Sequence, residues 1–222
     1  AVVYDSSTVG GNPFQRQLCG GSLVTPYIIL TAAHRVYDTD PENNSSLDPD
    51  DVNIVLGQTK LSTAPSSSEF DVQGGAWQDD FDPSYGHPSF GVPSNDVGYL
   101  VLASPYNAAT PIDIAGSGEG ALWDPGSPEE ITGWGATATS GPGSGGSDTL
   151  QAATVPIVSD SSCAGSYGAY FNGSTMVCAG YPEGGVDTCF GDSGGPMQAP
   201  VGDGGYRLVG ITSWGSGCAE ED

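Results

Sequence analysis

Positive charge is nearly absent from this chain. Four Lys and Arg residues stand against 27 Asp and Glu, a formal net charge of −23 at pH 7. A surface of that sign repels phosphate backbones and anionic headgroups, which excludes nucleic acid and membrane as partners. The excess is spread along the chain, in Asp38, Asp40, Glu42, Asp48, Asp50 and Asp51 and again in Asp79, Asp80 and Asp82. It reads as a solvated acidic face; adaptation to high salt, where counterions screen the self-repulsion, is the sharper alternative. No apolar run approaches the roughly 20 residues that a membrane span needs. No positively charged start leads into an apolar core, so any signal peptide is expected to have been removed. Long amphipathic helical periods are missing too. Histidine occurs only as His34 and His87, which narrows the search for a neutral-pH general base.

What is plentiful is turn chemistry: 35 glycines and 17 prolines in 222 residues, enough chain for one large all-β domain or two small ones. Short apolar runs at Tyr27 to Leu30, Val52 to Leu56, Val97 to Leu102, Ala153 to Val158 and Tyr206 to Trp214 read as strands bounded by Gly, Pro, Asn, Asp and Ser. The pattern is that of a sandwich or barrel. Residues 39–51, 63–69 and 138–148 read as exposed loops. Five cysteines in so polar a chain suggest an oxidising compartment. Asn43, Asn44 and Asn172 fit the glycosylation acceptor pattern, which is common by chance.

Three places carry candidate chemistry. His34 ends the run Leu30-Thr31-Ala32-Ala33-His34; taken alone, such a histidine is more often structural than catalytic. His87, in Tyr85-Gly86-His87-Pro88, reads as a surface turn residue. Gly191-Asp192-Ser193-Gly194-Gly195-Pro196 is either a tight turn or the seat of a nucleophile. A serine hydroxyl needs a base to take its proton during attack. Flanking glycines let the backbone turn so that amide N–H groups converge on a developing oxyanion. Asp96, in Asn95-Asp96-Val97, is ordinarily a turn residue and gains a catalytic meaning only behind His34.

Cys19-Gly20-Gly21-Ser22-Leu23, Leu30 to His34, Asn95-Asp96-Val97, Gly133-Trp134-Gly135, Cys178-Ala179-Gly180-Tyr181, Gly191 to Pro196 and Ser213-Trp214-Gly215-Ser216-Gly217-Cys218 together resemble the trypsin/chymotrypsin family, in its order and over nearly the whole chain. The general template for a Ser-His-Asp triad is itself drawn from that family. The resemblance implies an all-β fold of two antiparallel six-stranded Greek-key barrels. Residues 1–105 would form the first barrel, carrying His34 and Asp96. Residues 106–222 would form the second, carrying Ser193 and the specificity pocket. It implies a secreted, zymogen-derived endopeptidase with catalytic His34, Asp96 and Ser193, and an oxyanion hole of the Gly191 and Ser193 N–H groups. No metal or organic cofactor is needed; Gln58 stands where relatives often have a carboxylate ligand for calcium.

Asp187 matches the base of the primary specificity pocket, where a largely buried carboxylate would select Arg or Lys. Thr188 would assist it, and Ser213, Trp214 and Gly215 would line the pocket and pair with the substrate backbone. The implied partners are protein or peptide substrates with Arg or Lys before the scissile bond, with room for protein inhibitors. The acidic stretch after His34 suggests a further preference for basic residues beyond the cut. The resemblance pairs Cys163 with Cys178 and Cys189 with Cys218. It leaves Cys19 free, because Arg35 occupies the position of its usual partner, while Glu129 and Ala199 stand where another bridge would lie. In the family an apolar N-terminal residue pairs its α-amino group with the aspartate before the nucleophile, here Asp192. That segment and a closing C-terminal helix are expected to fall outside these 222 residues, which read as truncated at both ends. A non-catalytic protease-like binding module, or a protease of broader specificity, is the alternative.

Overall fold

A computed structural model describes residues 1–36, 48–86, 91–137, 145–202 and 204–221. His87, Asn43, Asn44 and the acidic Asp38, Asp40 and Glu42 lie outside the described residues.

The first sheet is built from β1 (Val2–Tyr4), β2 (Gln17–Cys19), β3 (Ser22–Thr25), β4 (Ile28–Thr31), β5 (Val52–Val55), β6 (Glu69–Trp77) and, after a two-stranded ribbon of β7 (Asp82–Tyr85) and β8 (Val92–Ser94), β9 (Gly98–Leu102). Their spatial order is β2-β1-β5-β6-β9-β4-β3. The two edge strands, β2 and β3, are separated in sequence only by Gly20 and Gly21. A sheet whose opposite edges are two halves of one bent stretch must curl onto itself, and the seven segments then count as a six-stranded barrel. Burial alternates along β9, with Gly98, Leu100 and Leu102 inward and Tyr99 outward. Leu100 and Leu102 meet Ile29, Ile54, Val52 and Val72 in the core. Each such side chain contributes about 1.5–3 kcal/mol by leaving water.

The second sheet has the order β10-β15-β14-β11-β12-β13, from β10 (Asp113–Ile114), β11 (Pro128–Gly133), β12 (Gln151–Val158), β13 (Cys178–Ala179), β14 (Pro196–Pro200) and β15 (Tyr206–Ile211). All its ladders are antiparallel except β10 with β15. It curls over a smaller core of Ile131, Val155, Ile157 and Met197. One α-helix, α1 (Asp160–Tyr167), is capped by Ser159, whose Oγ accepts the Ser162 N–H, and is tied down by a Cys163–Cys178 disulfide. The fold is thus almost entirely β, with two curled sheets of the chymotrypsin-like kind. Among the described residues no helix is long and apolar enough to cross a membrane.

Two local differences from the sequence reading have physical causes. The run ending at Trp214 leaves the sheet after Ile211, because Thr212 turns its backbone to the loop that carries Ser193: its N–H donates to Gly195 O and its C=O accepts from Gly194 N. The loop expected over 63–69 contains a 3-10 turn at Ser66–Ser68 and leads straight into β6, the longest strand. Gly74 and Gly75 hide β6 in the sequence. Yet Gly75 is required there, since a Cβ would come within 2.6 Å of Tyr99 O.

Glu129 lies on β11 with no exposed surface, and among the described residues neither carboxylate oxygen has a hydrogen-bond partner. Burial pushes its carboxyl up to about 7. Ala199, one position beyond the Glu130–Gln198 pair on β14, is buried with it.

Candidate active site

Three short turns converge where the two sheets meet. After β4 the chain enters a single 3-10 turn, Ala33–Arg35, which ends the strand and presents His34. Asn95 sits just before Asp96 at φ +51°, a left-handed conformation that asparagine tolerates, with its Nδ2 donating to Asp80 O at 2.9 Å. That kink aims Asp96 back at the 3-10 turn. The His34 backbone N–H donates to Asp96 Oδ1 at 2.8 Å, and His34 Nδ1 lies 2.7 Å from Oδ2. The Ser213 hydroxyl donates to the same Oδ2. Burial pushes the Asp96 carboxyl up, but the hydrogen bond and charge of His34, aided by the Ser213 hydroxyl, outweigh it and hold the carboxyl below its ordinary range. A carboxylate so held fixes Nδ1 as the protonated ring nitrogen and leaves Nε2 as an acceptor.

Ser193 comes from the other sheet, in the turn that precedes β14. The turn is docked onto the first barrel through glycines. Gly20 N–H donates to Ser193 O at 2.8 Å, and a Cβ on Gly20 would sit 2.7 Å from Gly195 Cα. Gly191 has φ +98°, and its carbonyl accepts from Gln17 Nε2 at 2.8 Å. The amide N–H groups of Gly191 and Ser193 have no acceptor among the described residues.

Asp192 points inward. Its Oδ1 accepts the Gly135 N–H at 2.7 Å and its Oδ2 the Cys189 N–H at 3.0 Å. A Cβ on either Gly133 or Gly135 would collide with this carboxylate, which accounts for both glycines of Gly133-Trp134-Gly135. Burial raises the Asp192 carboxyl and the nearby Asp187 charge adds to it, while the two amides oppose the rise. Both of these partners are backbone amides; the Ala1 α-amino group, lowered to about 5 by burial, donates to Val55 O at 3.0 Å in the first sheet.

Asp187, Thr188, Ser213, Trp214 and Gly215 line one cavity of about 1100 Å³. Trp214 packs edge-on against Tyr167 of α1, ring centroids 5.0 Å apart. The Asp187 carboxylate accepts the Thr188 N–H at 2.7 Å and the Ala219 N–H at 3.0 Å. Thr188 Oγ1 lies 3.5 Å away, at the limit of a hydrogen bond. The Cys189–Cys218 disulfide braces this flank. Asp187 is exposed rather than largely buried, because its two amide partners cover one side and the other opens to the cavity.

Sequence reasoning missed two contacts. One is the Ser213 hydroxyl on Asp96, a role beyond the pocket lining and substrate-backbone pairing that the resemblance implies for Ser213. The other is Arg35, whose Nη2 donates to Ser193 Oγ at 3.2 Å. Only the absent bridge to Cys19, which is free and buried, marked that position in the sequence.

The Trypsin family profile matches residues 3–222. Similar proteins include a trypsin of Saccharopolyspora erythraea, 39% identical over 207 residues, covering 93% of this chain and 79% of that protein. Trypsin-1 of Astacus astacus is 37% identical over 210 residues, 93% of this chain and 80% of the other. The vitellin-degrading protease of Bombyx mori is 34% identical over 206 residues, 92% and 69%. With the family match spanning nearly all of it, the chain belongs to the trypsin family of serine proteases.

Proposed function

We propose that this protein is a secreted endopeptidase that cleaves after Arg or Lys through Ser193, His34 and Asp96, with the barrels of residues 1–105 and 106–222 acting as one peptidase domain. The observation that carries the proposal is the His34–Asp96 pair, formed between residues 62 apart, with the Ser193 hydroxyl held by Arg35, the next residue after His34. His34 Nε2 takes the Ser193 Oγ proton as Oγ bonds to the scissile carbonyl carbon. The carbonyl oxygen becomes an oxyanion, received by the N–H groups of Gly191 and Ser193; one such donor is worth about 2.7–4 kcal/mol. As the C–N bond breaks, His34 returns the proton to the leaving amine. Water, deprotonated by His34, then attacks the acyl-enzyme, and the proton goes back to Ser193 as the acid leaves.

For specificity, the Asp187 carboxylate lining the cavity offers a guanidinium or ammonium a charge-assisted partner. Two disulfides among the described residues support an oxidising, extracellular location. One observation favours the binding-module reading: among the described residues, the Ser193 hydroxyl meets Arg35 rather than His34. A hydroxyl carries two acceptor lone pairs and one donor, so it can accept from Arg35 and still donate to His34. Hydrolysis of matched chromogenic peptide amides ending in Arg, Lys, Phe or Ala, with Ser193→Ala as control, is the test. Arg and Lys turnover that vanishes in the variant is expected; a folded protein that turns over none of the four would establish the binding module.

A further inference from the structure

The chain has four cations, and their partners differ in kind. Arg16 meets Glu69, Lys60 meets Asp148, and Arg207 meets Asp113 and Glu119. Among the described residues Arg35 has no carboxylate partner. Its guanidinium lies against the nucleophile instead, with Nη2 donating to Ser193 Oγ and Nε buried with no acceptor. A guanidinium is a fork of five donors shaped for a carboxylate. Here one donor has a neutral hydroxyl and another has nothing.

The side of Ser193 on which this fork lies follows from the chemistry. His34 must deliver its proton to the leaving amine, so the first-barrel side of Ser193 is the leaving-group side. Asp187 comes from the second half of the chain, and the cavity it lines takes the residue before the cut. Arg35 adjoins His34 on the same 3-10 turn, so what passes over it is the segment after the cut. An anion brought by the substrate would pair with the guanidinium through charge-assisted hydrogen bonds.

We propose that Arg35 is a specificity residue on the leaving-group side of Ser193, binding the carboxylate of an Asp or Glu among the first two residues after the scissile bond. This rests on the endopeptidase reading above. It is the opposite of the basic preference suggested by the acidic stretch after His34. The protein's net negative charge repels acidic peptides at long range, but at about 0.15 M salt that field fades over about 8 Å while a direct contact survives.

The test uses the full-length protein and fluorogenic peptides with Arg before the cut, identical except for Glu, Gln or Lys in the first or second position after it. The readout is the ratio of kcat/KM values, which cancels changes in overall activity. The wild type is expected to favour Glu over Gln about tenfold, the size of one charge-assisted hydrogen bond at a half-exposed site. Arg35→Gln should bring that ratio to about one, Arg35→Lys should keep part of it, and Arg35→Glu should turn the preference towards Lys. Equal cleavage of the Glu and Gln peptides by the wild type, a wild-type preference for Lys, or a Glu preference that survives in Arg35→Gln would overturn the assignment. Failure to cleave any of the peptides would overturn the endopeptidase reading itself, a distinguishable result.

Discussion

Replacing Glu129 by Met should stabilise the protein at pH 8 and do so much less at pH 5. Glu129 has no exposed surface, both its oxygens lack partners among the described residues, and burial lifts its carboxyl from 4.5 to about 7. A raised folded-state value means that the native protein holds this proton more tightly than the unfolded chain. The group therefore leaves stability untouched below about 4.5 and lowers it progressively as pH rises towards and through 7. The full difference corresponds to at most about 3–4 kcal/mol; water reaching the charged form reduces it to on the order of 1–2 kcal/mol. Methionine nearly matches the volume and brings no polar atom needing a partner. Urea unfolding at pH 5 and pH 8, both proteins in a Ser193→Ala background to stop self-cleavage, gives the two differences by linear extrapolation. Taking the difference between proteins cancels most of the pH dependence arising from the other acids. An Met-for-Glu effect identical at the two pH values, or one that grows towards acid, would refute the reasoning.

Asp96→Asn should lower kcat by about 10³–10⁴ with the fold intact, a magnitude that comes from this family's own template triad; a loss under tenfold in peptide hydrolysis would remove Asp96 from the mechanism. Gly135→Ala should displace the Asp192 carboxylate and cost about 1–3 kcal/mol by overpacking, read as a lowered urea midpoint together with reduced turnover. A variant with unchanged midpoint and turnover would show that the glycine is not needed there. Cys19 is buried and its thiol is pushed up to about 11 by burial, so a thiol reagent should find no reactive group in the native protein and one after unfolding without reductant.

The features legible in the sequence are those in which backbone conformation leaves a residue signature. The Gly-Gly break that bends β2 into β3 stood in Cys19-Gly20-Gly21, and the sharp turn at Ser193 stood in its flanking glycines. β4, β5, β9 and β12 were each visible as apolar runs, because strands buried on at least one face need such side chains. β6 was not, because its place is secured by pairing on both sides with β5 and β9 and by a glycine-permitted close approach rather than by its own composition. Long side chains were the least legible. The reach of Arg35 to Ser193, the Ser213 hydroxyl on Asp96 and the orphaned Glu129 all depend on which groups from distant segments share a few ångströms. No spacing within one segment encodes that. Asp187 was recognised by position, but its exposure depends on the segments around it.

The central claim is that Ser193 is activated by His34. A fluorophosphonate reports on it directly, since it bonds only to a serine whose proton can be removed by a neighbouring base. Mass spectrometry of the labelled protein should place a single adduct on the peptide containing Ser193, abolished in His34→Ala as well as in Ser193→Ala. No adduct on a folded protein, or an adduct at Ser193 that persists without His34, would contradict the account.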